Sequence, residues 1–129
     1  MTESMAEGST VAVVLNRDLL FGSRIRSALV AVGLEGQFVA NTEEFVRALN
    51  EHRDSVAIGI VDMNGPVSWD VIEATLASGS DGLPPTLAFG PHVDAVGRRA
   101  AKAAGITRIV SNGQFHSDMP GLIDRYRRR

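Results

Sequence analysis

Short apolar runs rich in β-branched residues alternate with segments of helical periodicity, and this alternation constrains the fold more than any other feature. The two strongest runs, residues 10–15 and 56–61, contain almost no polar side chain. A continuous apolar run of this length is typical of a strand buried on both faces of a sheet. Weaker runs cover residues 37–40, 86–89 and 106–110. The pattern therefore predicts five strands.

The segments between the strands carry apolar residues at three- and four-residue steps, as amphipathic helices do. In the first of them, Asp18 is the predicted N-cap and Gly33 the predicted residue just beyond the C-terminus. Asn41 and Glu44 have the spacing of a capping box at the start of the second. The other helices are expected over residues 68–78, 94–104 and 117–126.

Strands that alternate with helices predict βαβ units and a parallel sheet covered on both faces. A chain of 129 residues fits one domain. The expected fold class is α/β, a flavodoxin-like (βα)5 doubly wound parallel sheet with strand order 2-1-3-4-5. Residues 1–9 are expected to be a disordered lead, and residues 10–129 the domain itself.

Composition removes several classes of function. The chain has no cysteine, so it has no disulfide and no thiol nucleophile. A net charge of −2 gives no signature of nucleic-acid binding. No apolar run approaches the roughly 18 residues of a membrane span, and the first ten residues lack the basic start of a secretory signal. No nucleotide-binding, metalloprotease or hydrolase motif is found. We therefore expect a cytoplasmic protein that is not an enzyme and has no cofactor.

In a doubly wound sheet, ligands bind at the carboxyl ends of the strands. The first strand is followed there by Leu15 and Asn16, and the third strand by Asp62. The fourth strand leads to Gly90 and the fifth to Asn112. These five residues are the candidates for the functional edge of the domain.

Asp62, followed by residues 63–66, resembles the phosphoacceptor position of response-regulator receiver domains. The order and length of the elements from Thr10 onward match that family as well. In the family, an acidic pair after the first strand binds Mg²⁺ together with the acceptor aspartate. A Thr or Ser after the fourth strand and a Lys after the fifth complete the site. Transfer of a phosphoryl group to a carboxylate joins two anions, so the metal ion and the lysine must neutralise charge.

This chain departs from the family at every one of those positions except the acceptor. Leu15 and Asn16 stand at the acidic pair, Gly90 at the hydroxyl position and Asn112 at the lysine position. Asp18 lies two residues beyond the pair, where a helix cap is expected. The resemblance therefore implies a pseudo-receiver with feeble Mg²⁺ binding and slow or absent phosphorylation. Mg²⁺ would be a cofactor only in a chain that is still phosphorylated.

Two stretches of the sequence resemble one particular subgroup of the response regulators. Residues 14–26 and 88–94 are similar to the orphan response regulators of mycobacteria that are encoded near the NADH dehydrogenase genes. That similarity implies an accessory subunit on the cytoplasmic arm of respiratory complex I, peripheral to the inner membrane through a protein complex. Ordinary receivers often bind partners through the fourth helix, fifth strand and fifth helix, which here corresponds to residues 94–126.

Five residues outside the predicted strands are candidates for a protein interface. Trp69 would either anchor a partner or cover the loop before it. His92 would either bind a ligand or pack in its loop. Arg125, Arg127 and Arg128 in the basic ending would either form a hook for an acidic protein surface or anionic lipid, or end a helix favourably through its dipole.

Three functions stay open from the sequence. The first is a phosphorylation-independent protein-binding module with a partner in trans, and the second is a phosphorelay response regulator phosphorylated on Asp62. The third is a small-ligand binder or enzyme at the strand ends. An aspartate also starts turns, so a purely structural role for Asp62 stays open as well.

Overall fold

A computed structural model describes residues 8–78 and 82–129 of the chain. The strands are β1 (Val11–Leu15), β2 (Glu35–Val39), β3 (Val56–Asp62), β4 (Thr86–Gly90) and β5 (Arg108–Ser111). The helices are α1 (Leu19–Ala31), α2 (Thr42–Glu51), α3 (Trp69–Ser78), α4 (Ala95–Ala104), α5 (Asn112–Ser117) and α6 (Met119–Tyr126). All strand pairs are parallel and the strand order is β2-β1-β3-β4-β5. The predicted flavodoxin-like architecture is confirmed.

Burial decreases from the centre of the sheet to its edges. Every residue of β3 and β4 is buried, whereas β2 and β5 are partly exposed. One apolar cluster fills the space between the sheet and α1, α5 and α6, and a second fills the space beneath α2, α3 and α4. Two helical layers exclude water from both faces of the central strands, which explains why their sequences are continuous apolar runs.

Local capping signals fix the ends of the helices. The carboxylate of Asp18 accepts hydrogen bonds from two main-chain N–H groups in the first turn of α1, and Gly33 follows that helix with a positive φ of 78°. Asn41 accepts from the N–H of Glu44 at 2.8 Å, as predicted. The carboxylate of Glu44, however, accepts from the N–H of Ala40 instead of that of Asn41. The reciprocal half of this capping box is therefore displaced by one residue.

The end of the chain contains two helices where one was predicted. Ser111 and Gln114 form a capping box that starts α5 directly after β5. Asp118 then leaves the helical conformation, with φ at −157°, and its carboxylate accepts from the N–H of Gly121 to start α6. The helix predicted over residues 117–126 is confirmed as α6. The helix that was not predicted is α5, and the cap at Asp118 separates it from α6.

Two predicted segments fall partly outside the described residues. The lead expected over residues 1–9 is described only from Gly8 onward, and Ser9 is buried and accepts a hydrogen bond from Arg127. Ser9 therefore belongs to the packed domain. Gly79, Gly82, Pro84 and Pro85 predict a flexible connection over residues 79–85, which the structure describes only from Gly82 onward. In the described parts of the chain, no helix is both long and apolar enough to cross a membrane.

Candidate functional site

Asp62 ends the central strand β3 and lies at the middle of the carboxyl edge of the sheet. Its side chain is only 7% exposed. The carboxyl ends of parallel strands meet at one edge, so the residues that follow β1, β4 and β5 surround it. The site predicted from the sequence is therefore brought together around this carboxylate.

Neutral amide donors occupy both oxygens of the Asp62 carboxylate. Oδ2 accepts from Nδ2 of Asn16 at 2.8 Å. Oδ1 accepts from the main-chain N–H of Asn64 at 2.9 Å and from its Nδ2 at 2.8 Å. The buried carboxylate is thus held by hydrogen bonds from uncharged groups alone.

Asn64 also bonds to Asn112, the first residue of α5, and so extends the hydrogen-bond network. Nδ2 of Asn64 donates to Oδ1 of Asn112 at 2.9 Å, and Nδ2 of Asn112 donates back to Oδ1 of Asn64 at 2.9 Å. Asn16, Asp62, Asn64 and Asn112 together form what we call the amide cluster. From the sequence, Asn64 was expected only to be one of the residues that follow Asp62, so its central place in the cluster was missed.

The hydroxyl position of the family cannot hold a side chain here without rearrangement. A Cβ atom built on Gly90 would lie 2.8 Å from Cβ of Met63, closer than real Cβ contacts allow. Met63 is itself buried, so it has little freedom to move aside. The glycine is therefore part of the packing beside Asp62.

The remaining residues near the edge are also engaged elsewhere. Leu15 is 3% exposed and packs in the cluster beneath α2, α3 and α4. The carboxylate of Asp18 caps α1, as predicted. Nε of Arg17 donates to the carbonyl of Ala40 at 2.6 Å. Asp62 has no hydrogen bond or ion pair with either of these charged neighbours.

The residues around Asp62 fit Mg²⁺ poorly, because Asp18, the second carboxylate that lines the cavity beside Asp62, already caps α1. This ion prefers an octahedron of oxygens with one or two carboxylates. Asp62 is the one carboxylate of the amide cluster, and both of its oxygens already accept hydrogen bonds. Across residues 8–78 and 82–129, no group of three or more His, Cys, Asp or Glu side chains could hold a metal ion. A cavity of about 350 Å³ opens beside the cluster, with Asn16, Arg17 and Pro66 in its lining.

His116 on α5 lies close to this site and was not identified from the sequence. Its ring centroid is 4.6 Å from that of Phe21 on α1. Burial lowers its pKa, Arg24 lowers it further, and Asp62 acts in the opposite direction. A histidine next to a core phenylalanine in a short helix is the signal that could have identified it.

The candidate interface residues lie in different environments. Trp69 is half-buried and packs against the core cluster beneath α2, α3 and α4. His92 is exposed in the connection between β4 and α4. Arg125 is exposed, with its guanidinium carbon 6.0 Å from the centre of the Tyr126 ring.

Arg127 and Arg128 are held against the opposite edge of the sheet from Asp62. The guanidinium of Arg127 donates to the main-chain oxygens of Val32 and Ser9 at 2.9 and 3.2 Å. Nε of Arg128 donates to the main-chain oxygen of Val56 at 2.9 Å. These two side chains therefore fasten the C-terminus to the domain, and the role of the basic ending as a hook stays a prediction.

No family model matches the sequence, and no curated protein matches it. Solved structures do match. The chemotaxis response regulator CheY4 of Vibrio cholerae has a TM-score of 0.74 at 16% identity, over 92% of this chain and 98% of its own. A receiver domain from Bermanella marisrubri gives a TM-score of 0.75 at 17% identity, over the same shares of the two chains.

A third structure contains a metal ion. The receiver domain of a Pseudomonas aeruginosa sensor histidine kinase, with magnesium coordinated in its active site cleft, has a TM-score of 0.74 at 15% identity over 92% of this chain and 97% of its own. Similarity at this identity concerns the fold alone. The parallel sheet, its strand order and these structural neighbours establish that the chain has the fold of response-regulator receiver domains.

Proposed function

We propose that this chain is a protein-binding module that works without phosphorylation and is not an enzyme. The observation that carries the proposal is the amide cluster, in which both oxygens of Asp62 accept hydrogen bonds from Asn16 and Asn64. Phosphorylation would require one of those oxygens to leave its donors and attack an anionic phosphorus. The cation that lines the same cavity, Arg17, donates instead to the carbonyl of Ala40, so it is not placed to offset the charge that then develops.

The amide cluster also fixes the shape of the carboxyl edge of the sheet, which favours a role in binding another protein. Asn112 and Asn64 join the start of α5 to the loop after β3 through two hydrogen bonds. In the family this place is occupied by a lysine that neutralises the phosphoryl group. Here an amide closes the same position without a ligand. In this proposal the domain is not phosphorylated, and it acts by binding another protein through its surface.

The resemblance of residues 14–26 and 88–94 to the mycobacterial orphan regulators identifies the candidate partner. It is the cytoplasmic arm of respiratory complex I, the NADH:quinone oxidoreductase. In this proposal the chain is a cytoplasmic accessory subunit that is peripheral to the inner membrane only through that complex. No contact with nucleic acid is part of the proposal.

The alternative is a phosphorelay response regulator that accepts a phosphoryl group on Asp62. One observation favours it: Asp62 lies at the carboxyl end of the central strand, next to an open cavity of about 350 Å³. Among the structural neighbours is the phosphorylated cyanobacterial phytochrome response regulator RcpA, at 11% identity with a TM-score of 0.74. For this chain the reaction requires that the amide cluster opens first.

A comparison of Asp62→Asn with the native chain tests the proposal. Tagged protein is used to recover partners from gently solubilised membranes of the native host, with Asp70→Asn as a control at an exposed aspartate of α3. Equal recovery of the NADH-oxidising complex by all three proteins is the expected result. Recovery of a histidine kinase, or loss of the complex in Asp62→Asn alone, would support the phosphorelay function instead.

A further inference from the structure

His116 lies between α1 and the sheet in an aromatic environment. Its ring centroid is 4.6 Å from that of Phe21 on α1 and 6.1 Å from that of Phe89 on β4. The ring of its neighbour Phe115 stacks on Phe89 at 4.1 Å with an angle of 12° between the planes. These contacts seat α5 against β4.

The two nitrogens of the imidazole are unpaired in this environment. Neither Nδ1 nor Nε2 is accessible to solvent, and neither has a hydrogen-bond partner among the described residues. A neutral ring tolerates this because only one of the nitrogens carries a proton. A protonated ring has two N–H donors and a full charge, and both require partners or water.

The charges around His116 do not compensate an imidazolium where it stands. Arg24 on α1 repels it, and Asp62 on β3 attracts it, but the oxygens of Asp62 are already taken by Asn16 and Asn64. The neighbours from β4 and α6, including Phe89 and Met119, carry no charge. Asp118 at the junction of α5 and α6 is exposed and lines the same groove as His116.

That groove provides space into which the ring of His116 can move. It has a volume of about 460 Å³ and runs between α1 and the junction of α5 and α6, with Ser23, Ser27, Ser117 and Asp118 in its lining. Hydroxyl and carboxylate oxygens there can accept hydrogen bonds from an imidazolium. The groove therefore offers a protonated ring the acceptors that it lacks beside Phe89.

α5 links the ring to the amide cluster. Asn112 and His116 are four residues apart on this six-residue helix, so they lie on the same side one turn apart. If α5 shifts as one unit, a movement that takes His116 away from Phe89 also takes Asn112 away from Asn64.

We propose that His116 is the sensor of a proton-driven switch, in which protonation of its imidazole moves α5 off β4 and separates Asn112 from Asn64. The proton comes from solvent through the groove. With a neutral His116 ring, the hydrogen bonds between Asn64 and Asn112 are formed. With a protonated ring, they are broken. A proton thereby takes the place of a phosphoryl group as the input to this edge. The inference does not depend on which partner the domain binds.

A pH titration of the full chain by NMR tests the switch. The ring nitrogens of His116 and the side-chain NH₂ groups of Asn64 and Asn112 are followed in the same samples. All three are expected to change together, with a single midpoint below 6.5, the ordinary pKa of histidine. The wild-type chain alone can overturn the proposal: if His116 titrates while the Asn112 signal stays constant, the two are not coupled.

Two variants separate this histidine from other titrating groups. In His116→Phe, or in His116→Leu if the first does not fold, the changes at Asn64 and Asn112 are expected to be lost over that pH range. The control is His92→Gln, which removes an exposed histidine at the same edge and is expected to leave the changes intact. Persistence of the midpoint in both His116 variants would assign it to another group and would refute the switch.

Discussion

Asn64 and Asn112 hydrogen-bond to each other through both of their amide groups, at 2.9 Å in each direction, although 48 residues separate them in the chain. The pair joins the loop after β3 to the start of α5, which no other described side-chain hydrogen bond does. Both partners are neutral amides, so the contact contains no ion pair. The stability of the edge then depends on amide geometry and only weakly on salt.

The energy of this pair can be measured with a double-mutant cycle of Asn64→Ala and Asn112→Ala. We expect Asn112→Ala to lower the free energy of unfolding by about 1 kcal/mol, the net contribution of a typical pair of hydrogen bonds at a partly exposed site. Asn64→Ala is expected to cost more, because it also removes a donor from Asp62. Urea unfolding of the four proteins gives the coupling energy. A coupling near zero would mean that the pair forms no stabilising contact in solution.

The second prediction concerns Asn16→Asp, which places a carboxylate next to that of Asp62. The amide it replaces donates to Asp62 at 2.8 Å, so the variant exchanges a hydrogen bond for a repulsion. We expect a loss of about 2 kcal/mol in the free energy of unfolding at neutral pH without metal. Millimolar Mg²⁺ should restore part of that loss and raise the melting temperature of the variant.

The wild-type chain is the control for this experiment, since its residues fit Mg²⁺ poorly. Its melting temperature is expected to be the same with and without the ion. A clear rise in the wild type would show that oxygens other than those of the amide cluster complete a metal site.

The third prediction concerns Gly90→Ala. The new Cβ would lie 2.8 Å from Cβ of Met63, so either that buried residue or β4 must shift. Overpacking of this kind typically costs about 1–3 kcal/mol. Gly65→Ala is the matched control, because a Cβ there has no heavy atom within 4 Å. Thermal unfolding of both variants would contradict the prediction if their melting temperatures were equal.

Local signals in the sequence were sufficient for most of the fold. The cap at Asp18 and the glycine after α1 act within one helical turn, so adjacent residues reveal them. The same kind of signal was present but overlooked at Ser111 and Gln114, whose spacing is that of a capping box. Helix α5, which was not predicted, could therefore have been predicted from the sequence.

The chemistry of the site could be predicted only in part. Asp62, Asn16 and Asn112 were located because the carboxyl ends of parallel strands meet at one edge. The role of Asn64 depends on a partner 48 residues away, and no local pattern reveals such a partner. The guanidinium of Arg127 bonds to main-chain oxygens, which every residue type provides, so its partners leave no trace in the sequence.

The fourth prediction is a pH dependence of stability that originates from His116. Burial lowers its pKa in the folded state, so the unfolded chain binds this proton more readily. Its contribution to stability is therefore complete above the unfolded pKa of about 6.5, and is lost as the pH falls below that value toward the folded pKa. His116→Phe should remove this part of the pH dependence in urea unfolding between pH 7 and pH 5. His92→Gln, at an exposed site, should retain it.

The last prediction concerns the basic ending, where Arg125 and Arg127 carry the same charge in different environments. The side chain of Arg127 is 11% exposed and donates to two main-chain oxygens. Arg127→Ala leaves those carbonyls without their donor, and we expect a loss of about 2 kcal/mol in the free energy of unfolding. Arg125→Ala removes an equal charge from an exposed position and should change stability by less than about 0.5 kcal/mol. If both variants unfolded at the same urea concentration, the ending would be a solvated basic tail, and its role as a hook for an acidic surface would be supported.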